Sequence, residues 1–397
     1  MEPHSITIFL KIVTLLVMII FCGQILGGVL RLNCQNTILP GRATASCRPH
    51  KHIMFLKTHK TGSSTVLNML YRFGDERGLW FALPTSDHFG YPNYFSAHHV
   101  RGYQSDSQQH FDILANHMRF QKSEVEKVMP PDTFYFSIMG DPVTMAKSAF
   151  SYFKTISPAF SQAESFHAFV SKPWKYYNPY VQYSHFSRNM MWFDFGFDHN
   201  ANYSESLAMK GESVIRKTFN MILLLEYFDE SLVLLRHALC WPMEAIITFS
   251  MNMQQSGSNE EMLLTENQER RLRDWNALDW HLYKAFNHTF WEEVERFGVA
   301  RMEQELVILR NLRAKQMQTC LLEDGKLVES NKISDADLKP FQTGVKKILG
   351  YQLKPDLDNA THKACLNMVR PEIPYRKLLE AKQSLSAPPS LEKNSKM

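Results

Sequence analysis

The sequence has no Walker-type phosphate loop, no closely paired cysteines, no internal repeat and no large charge imbalance, and each absence removes a class of function. Without a G-x-x-x-x-G-K-[ST] pattern, adenylate- or guanylate-kinase readings weaken. The six cysteines, Cys22, Cys34, Cys47, Cys240, Cys320 and Cys365, are too scattered for a zinc site of the C-x-x-C type. Lys plus Arg number 44 against 40 Asp plus Glu, so a net charge of +4 makes no case for nucleic-acid binding, and any basic effect is local. No low-complexity tract interrupts the 397 residues, of which 44% are hydrophobic, enough for a large core.

What is present begins with a charge-free run of nineteen residues, Ile12 to Leu30, long enough to span a bilayer. No small-x-small cleavage site follows it, so a signal-anchor is favoured over a cleaved signal peptide. The flanking charges give no clean bias for orientation. Three N-x-[ST] sequons at Asn202, Asn287 and Asn359 all follow the run and tip the body toward the lumen, where disulfides form. The expected organisation is a cytoplasmic tail over 1–11, a transmembrane anchor over 12–30, a stem over 31–51, a luminal domain over 52–378 and a disordered tail over 379–397.

The stretch from His52 to Phe73 changes character twice. Ile53 to Leu56 is an apolar run suited to a strand buried on both faces, followed by a polar loop, Lys57 to Thr65, and then a helix with Val66, Leu67, Met69, Leu70 and Phe73 on one face. The free N–H groups of the helix start, its dipole, the hydroxyls of Ser63, Ser64 and Thr65 and the ammonium of Lys60 converge on one point, which suits a phosphate. A capped turn with solvated lysines explains the same residues, so context must decide.

Further short apolar runs at Phe111–Leu114, Thr133–Met139 and Met221–Leu225 alternate with helical segments, which predicts a parallel α/β sheet flanked by helices. Ligands on such sheets sit at the carboxyl ends of the strands, where Lys60, His117, Gly140 and Glu226 fall. Asp141 and Pro142 read as N-cap and first residue of a second helix that carries Ser148. The aromatic and histidine-rich stretch from Leu79 to Gln109 is either the lining of a substrate cleft or a long insertion. Thr265 to Gln268 is a capping box, and Leu272, Trp275, Leu278 and Leu282 continue it as one core-facing helix.

From His52 to Trp291 the chain resembles the galactose-3-O-sulfotransferase family of Golgi type II membrane enzymes. The resemblance rests on Phe55 to Thr65, Phe111 to Leu114 with His117 to Phe120, Glu226 to Leu235, and Trp275 to Trp280 with Phe286 to Trp291. It implies a P-loop-like sulfotransferase fold. It also implies transfer of a sulfuryl group from 3′-phosphoadenosine 5′-phosphosulfate to the 3-hydroxyl of terminal β-galactose on glycoproteins or glycolipids, with no metal required. Lys60 then neutralises the leaving group, and the segment Lys60, Thr61, Gly62, Ser63, Ser64 and Thr65 holds the 5′-phosphate. His117 is the candidate base, with His59, His98 and His99 ranked behind it. Ser148 and Arg188 are candidates for the donor, and Arg119 for donor or sugar.

One departure stands out. The family's 3′-phosphate segment reads Arg-Asp-Pro, whereas Gly140 precedes Asp141 here. Losing a charge-assisted contact costs about 1.5 to 3 kcal/mol unless Lys147, Arg119 or Arg188 replaces it. The alternative reading is therefore a weakened or inactive paralogue that binds glycans without turnover. The sequence leaves open the acceptor class and whether the chain forms a homo-oligomer.

Overall fold

A computed structural model describes residues 47–105, 110–255 and 263–385. The chain divides into residues 1–48 and a unit from Pro49 onward that holds the core. The expected anchor at 12–30, the segment before it, most of the stem and the tail from 386 lie outside the described residues. No helix among the described residues is long and apolar enough to cross a membrane.

The organising strand is β1 (Ile53–Leu56), whose four side chains are all fully buried. Apolar residues on both of its faces suit a central position, and it has that position in a five-stranded parallel sheet. With β2 (Phe81–Ala82), β3 (Ile113–Leu114), β4 (Phe134–Met139) and β5 (Met221–Leu224), the order is β2-β3-β1-β4-β5. Ile53 registers with Ile113 on one side and with Phe134 on the other. The chain therefore leaves β1 first to one side and later to the other. The carboxyl end of β1 is a topological switch point, the place where such sheets open a crevice.

Helix α1 (Ser63–Glu76) follows β1 directly. Its expected apolar face is buried, but most of its other residues are buried too. The reason is a second layer that the periodicity did not announce. Helices α8 (Asn359–Val369) and α9 (Glu372–Ser384) pack against α1, and Asn68 Nδ2 donates to the carbonyls of Asn367 (3.0 Å) and Arg370 (3.1 Å). Helix α9 runs to Ser384, so residues 379–384, expected in a disordered tail, are helical. Gln383 acts as a surrogate backbone amide for the edge strand, accepting from Phe81 N and donating to Phe81 O, both at 3.0 Å.

Between these come α2 (Pro142–Tyr152), α3 (Glu205–Thr218), α4 (Phe228–Leu239), α5 (Glu266–Trp275), α6 (Ala277–Phe297) and α7 (Val299–Cys320). Asp141 caps α2 as expected, its carboxylate accepting from Val143 N at 2.7 Å. The helix expected from the Thr265 capping box instead breaks at Asn276. There the backbone leaves helical geometry (φ −107, ψ 43); the side-chain amide donates to Leu272 O (3.0 Å) beside the backbone N–H, and its oxygen accepts from Asn189 N (2.8 Å), so the side chain ties the kink to a neighbouring segment. A small antiparallel sheet, β6 (Met253–Gln254), β7 (Val328–Glu329) and β8 (Ile348–Gly350), in the order β6-β8-β7, stands apart from the main sheet. Cys320 at the end of α7 is disulfide-bonded to Cys365 in α8.

Gly62 joins the loop to α1 with φ +71, and a Cβ there would stand 3.0 Å from Leu225 Cδ1. Gly78 has a similar φ, +64, with open space around it. Both Gly→Ala changes incur the left-handed penalty of about 1 to 2 kcal/mol. Gly62→Ala is expected to lower the denaturation midpoint further than Gly78→Ala, and equal losses would show that the Leu225 contact relaxes freely.

Candidate active site

The loop between β1 and α1 is held by its own hydroxyls. Thr58 Oγ1 donates to Ile138 O on β4 (2.5 Å), Ser63 Oγ donates to Thr58 O (2.6 Å), and Thr65 Oγ1 accepts from Met251 N (3.0 Å). Thr61 Oγ1 lies 2.8 Å from Thr58 Oγ1. The hydroxyls of Ser63 and Thr65 were expected to face an anion, yet they brace the loop. Thr61 and Thr65 stay off the cavity wall, while Lys60, Gly62, Ser63 and Ser64 line it. Fixing the loop in this way presents the first N–H groups of α1 to the cavity without reorganisation.

That cavity, about 820 Å³, lies at the carboxyl end of β1. It is closed by α2, by the segment from Ser250 through β6, by the segment around Lys339 and β8, and by the turn from α8 into α9. Lys60 has the left-handed φ of 60 and sets its ammonium 3.7 Å above the Tyr152 ring at the end of α2. Burial, and then the nearby Lys57 charge, push the Lys60 ammonium down to about 7.

Two imidazoles share the centre of the site, stacked at 3.9 Å and 9°. His59 is oriented by Asp194, a fully buried carboxylate that ends the short helix Met190–Asp194. Asp194 accepts from His59 N (2.8 Å), from His59 Nδ1 (3.0 Å) and from the Tyr91 hydroxyl (3.0 Å). The short helix is in turn held by Asp279 of α6, which accepts from Met191 N and Trp192 N and which burial pushes up to about 7. With Nδ1–H donating to Asp194, His59 Nε2 carries the lone pair, and it makes no hydrogen bond to another described residue.

His117 is arranged differently. Its Nδ1–H donates to Lys57 O (2.9 Å) and its Nε2 accepts from Lys57 Nζ (2.7 Å). Burial, with the charges of His59 and Lys57, holds this imidazole well below its ordinary range. Both ring nitrogens are thus engaged, so His117 has no free nitrogen to serve as the base expected of it, whereas His59 Nε2 is unbonded among the described residues. His98 packs on Tyr103 and His99 completes a cap at Ser96, both off the cavity.

The second strand-to-helix junction contributes Thr144 and Ser148 to the wall, as anticipated for Ser148. Gly140 is buried beside Met145 and Leu225 and, with Glu226, does not reach the cavity. Instead, Glu226 accepts from Asp141 N at 2.8 Å. None of the cations considered as replacements at Gly140 lines the cavity. Arg119 sits over Tyr94 and Phe193 and donates to Phe197 O, whereas Arg188 sits over Trp275. The cations on the wall are Lys57, Lys60, Lys339 and Arg370. Arg370 is only 7% exposed, and its Nε has no hydrogen-bond partner among the described residues. Asp194, Lys339, Arg370 and Glu372 escaped the sequence reading because no local pattern marks them.

The site therefore combines the start of α1, three lysines, a buried arginine and a carboxylate-oriented imidazole in one cavity. Comparison with known proteins identifies the family. The galactose-3-O-sulfotransferase family matches residues 3–383. Mouse galactose-3-O-sulfotransferase 2 is 43% identical over 333 residues, 82% of this chain and 84% of the relative. The human protein of that name is 42% identical over 377 residues, 94% and 93% of the two chains. Human galactosylceramide sulfotransferase is 36% identical over 349 residues, 87% and 81%. The chain belongs to the galactose-3-O-sulfotransferase family and is an enzyme of the sulfotransferase class.

Proposed function

We propose that the protein transfers a sulfuryl group from 3′-phosphoadenosine 5′-phosphosulfate to the 3-hydroxyl of a terminal β-galactose on glycoproteins or glycolipids. The observation that carries this reading is the placement of Lys60, the start of α1 and the Asp194-oriented His59 on one cavity. The N–H groups at the start of α1 hold the 5′-phosphate, and Lys60 neutralises charge on the bridging oxygen as the S–O bond breaks. His59 Nε2 takes the proton from the galactose 3-hydroxyl as that oxygen bonds to sulfur, and Asp194 stabilises the imidazolium. Ser148, Thr144, Lys339 and Arg370 are the groups available to the donor's other phosphate. No step calls for a metal.

We place the body in the Golgi lumen behind a single-pass type II anchor at 12–30. The sequons and the Cys320–Cys365 disulfide suit an oxidising compartment. Asn202 and Asn359 are exposed acceptors for a glycan. Asn287 lies half-buried in mid-helix with its amide donating to Tyr283, so it is the sequon expected to stay bare. Transfer of labelled sulfate to a galactoside tests the proposed reaction.

His59→Ala is expected to lower kcat/KM by about 10² to 10⁴, with a smaller loss in His117→Ala, whose ring touches Lys57 instead. The opposite ranking would return the base role to His117. Lys60 loses its proton near pH 7 in the empty site, and a bound anion favours the ammonium. Affinity for 3′-phosphoadenosine 5′-phosphate should therefore weaken as pH rises above 7, by up to about tenfold per unit. Calorimetry should find that slope in the parent and a flat profile in Lys60→Met; a flat parent profile would contradict the assignment.

A further inference from the structure

Lys57 is the most constrained charge in the site. It is 2% exposed, yet it lines the cavity. An ammonium has three N–H donors. One of these donates to His117 Nε2 at 2.7 Å and another meets Glu372 Oε2 at 2.9 Å. Both partners are themselves fixed. His117 is locked in one tautomer by its bond to Lys57 O. The other oxygen of Glu372, Oε1, accepts from Asn116 Nδ2 at 3.3 Å, and Asn116 is bonded to the Tyr71 hydroxyl inside the core. In a tetrahedral group, fixing two N–H directions fixes the third.

We infer that Glu372, in the first turn of α9, is a positioning residue that fixes the Lys57 ammonium against His117 and so aims its remaining N–H into the cavity at the transferred sulfuryl group. The inference rests on the sulfuryl-transfer reading given above. It makes the last helix of the chain part of the active site. Arg376, one turn further along α9, holds Asp87 on the same cavity wall at 2.7 Å, so one helix end sets two sides of the pocket. Lys60 in its own loop and His117 after β3 feel the Lys57 charge, and Glu372 on α9 is ion-paired with it. Among these, Glu372 is the group that carries negative charge onto Lys57.

Without that carboxylate the ammonium is fixed by His117 alone, and its third N–H is free to swing away from the sulfuryl group. The test is kcat and KM for labelled sulfate transfer, with the affinity for 3′-phosphoadenosine 5′-phosphate, in full-length parent, Glu372→Gln and Glu372→Asp. Glu372→Gln should lower kcat by about tenfold or more while the affinity for 3′-phosphoadenosine 5′-phosphate, which lacks the sulfuryl group, stays within about threefold of the parent, and Glu372→Asp should recover part of kcat. A parent that transfers sulfate, with Glu372→Gln losing kcat and affinity alike or neither, overturns the positioning role alone. A parent that transfers no sulfate overturns the proposed reaction and with it the target of the Lys57 N–H.

Discussion

Two lysine ammonium groups in one short loop, Lys57 and Lys60, stand at the carboxyl end of a fully buried strand, largely removed from water. Desolvating like charges together is unfavourable, and much of the surrounding architecture answers that cost. Glu372 and neutral His117 satisfy Lys57, whereas Lys60 has only the face of Tyr152 and a proton it holds weakly. The asymmetry gives the two lysines different surroundings before any ligand arrives. Lys57 is compensated within the protein, and Lys60 is left for an incoming anion to complete.

The histidines divide in a parallel way. Stacked rings at 3.9 Å disfavour two imidazolium ions. His117 is kept neutral between Lys57 Nζ and Lys57 O, and His59 is given a buried carboxylate that can stabilise a proton. The different surroundings of the two rings are set by residues far from the loop in sequence, since Asp194 and His59 are 135 positions apart.

That distance marks what the sequence could disclose. The strand-loop-helix unit at Ile53 to Glu76, the Asp141 cap of α2 and the alternation behind the parallel sheet were legible because period, capping and turn chemistry are local. The loop residues were identified as a group, although the hydroxyls of Ser63 and Thr65 turned out to brace it. Missed were contacts between segments that carry no shared pattern: Asp194 to His59, Glu372 to Lys57, and Arg370 on the cavity wall. The small antiparallel sheet escaped because strands of two or three residues leave no periodic signal. The break at Asn276 escaped because the apolar spacing supports one helix on both sides, while the residue that bends the backbone is tied to Asn189, 87 positions away.

The central claim is that this cavity moves a sulfuryl group onto one hydroxyl of galactose. The most direct measurement incubates the full-length protein with 3′-phosphoadenosine 5′-phosphosulfate carrying labelled sulfate and a panel of terminal β-galactosides, then locates the label in the product by NMR. The account predicts sulfate on the 3-hydroxyl of the terminal galactose and none on a matched glucoside. No transfer to any galactoside, or label confined to another hydroxyl, would contradict it.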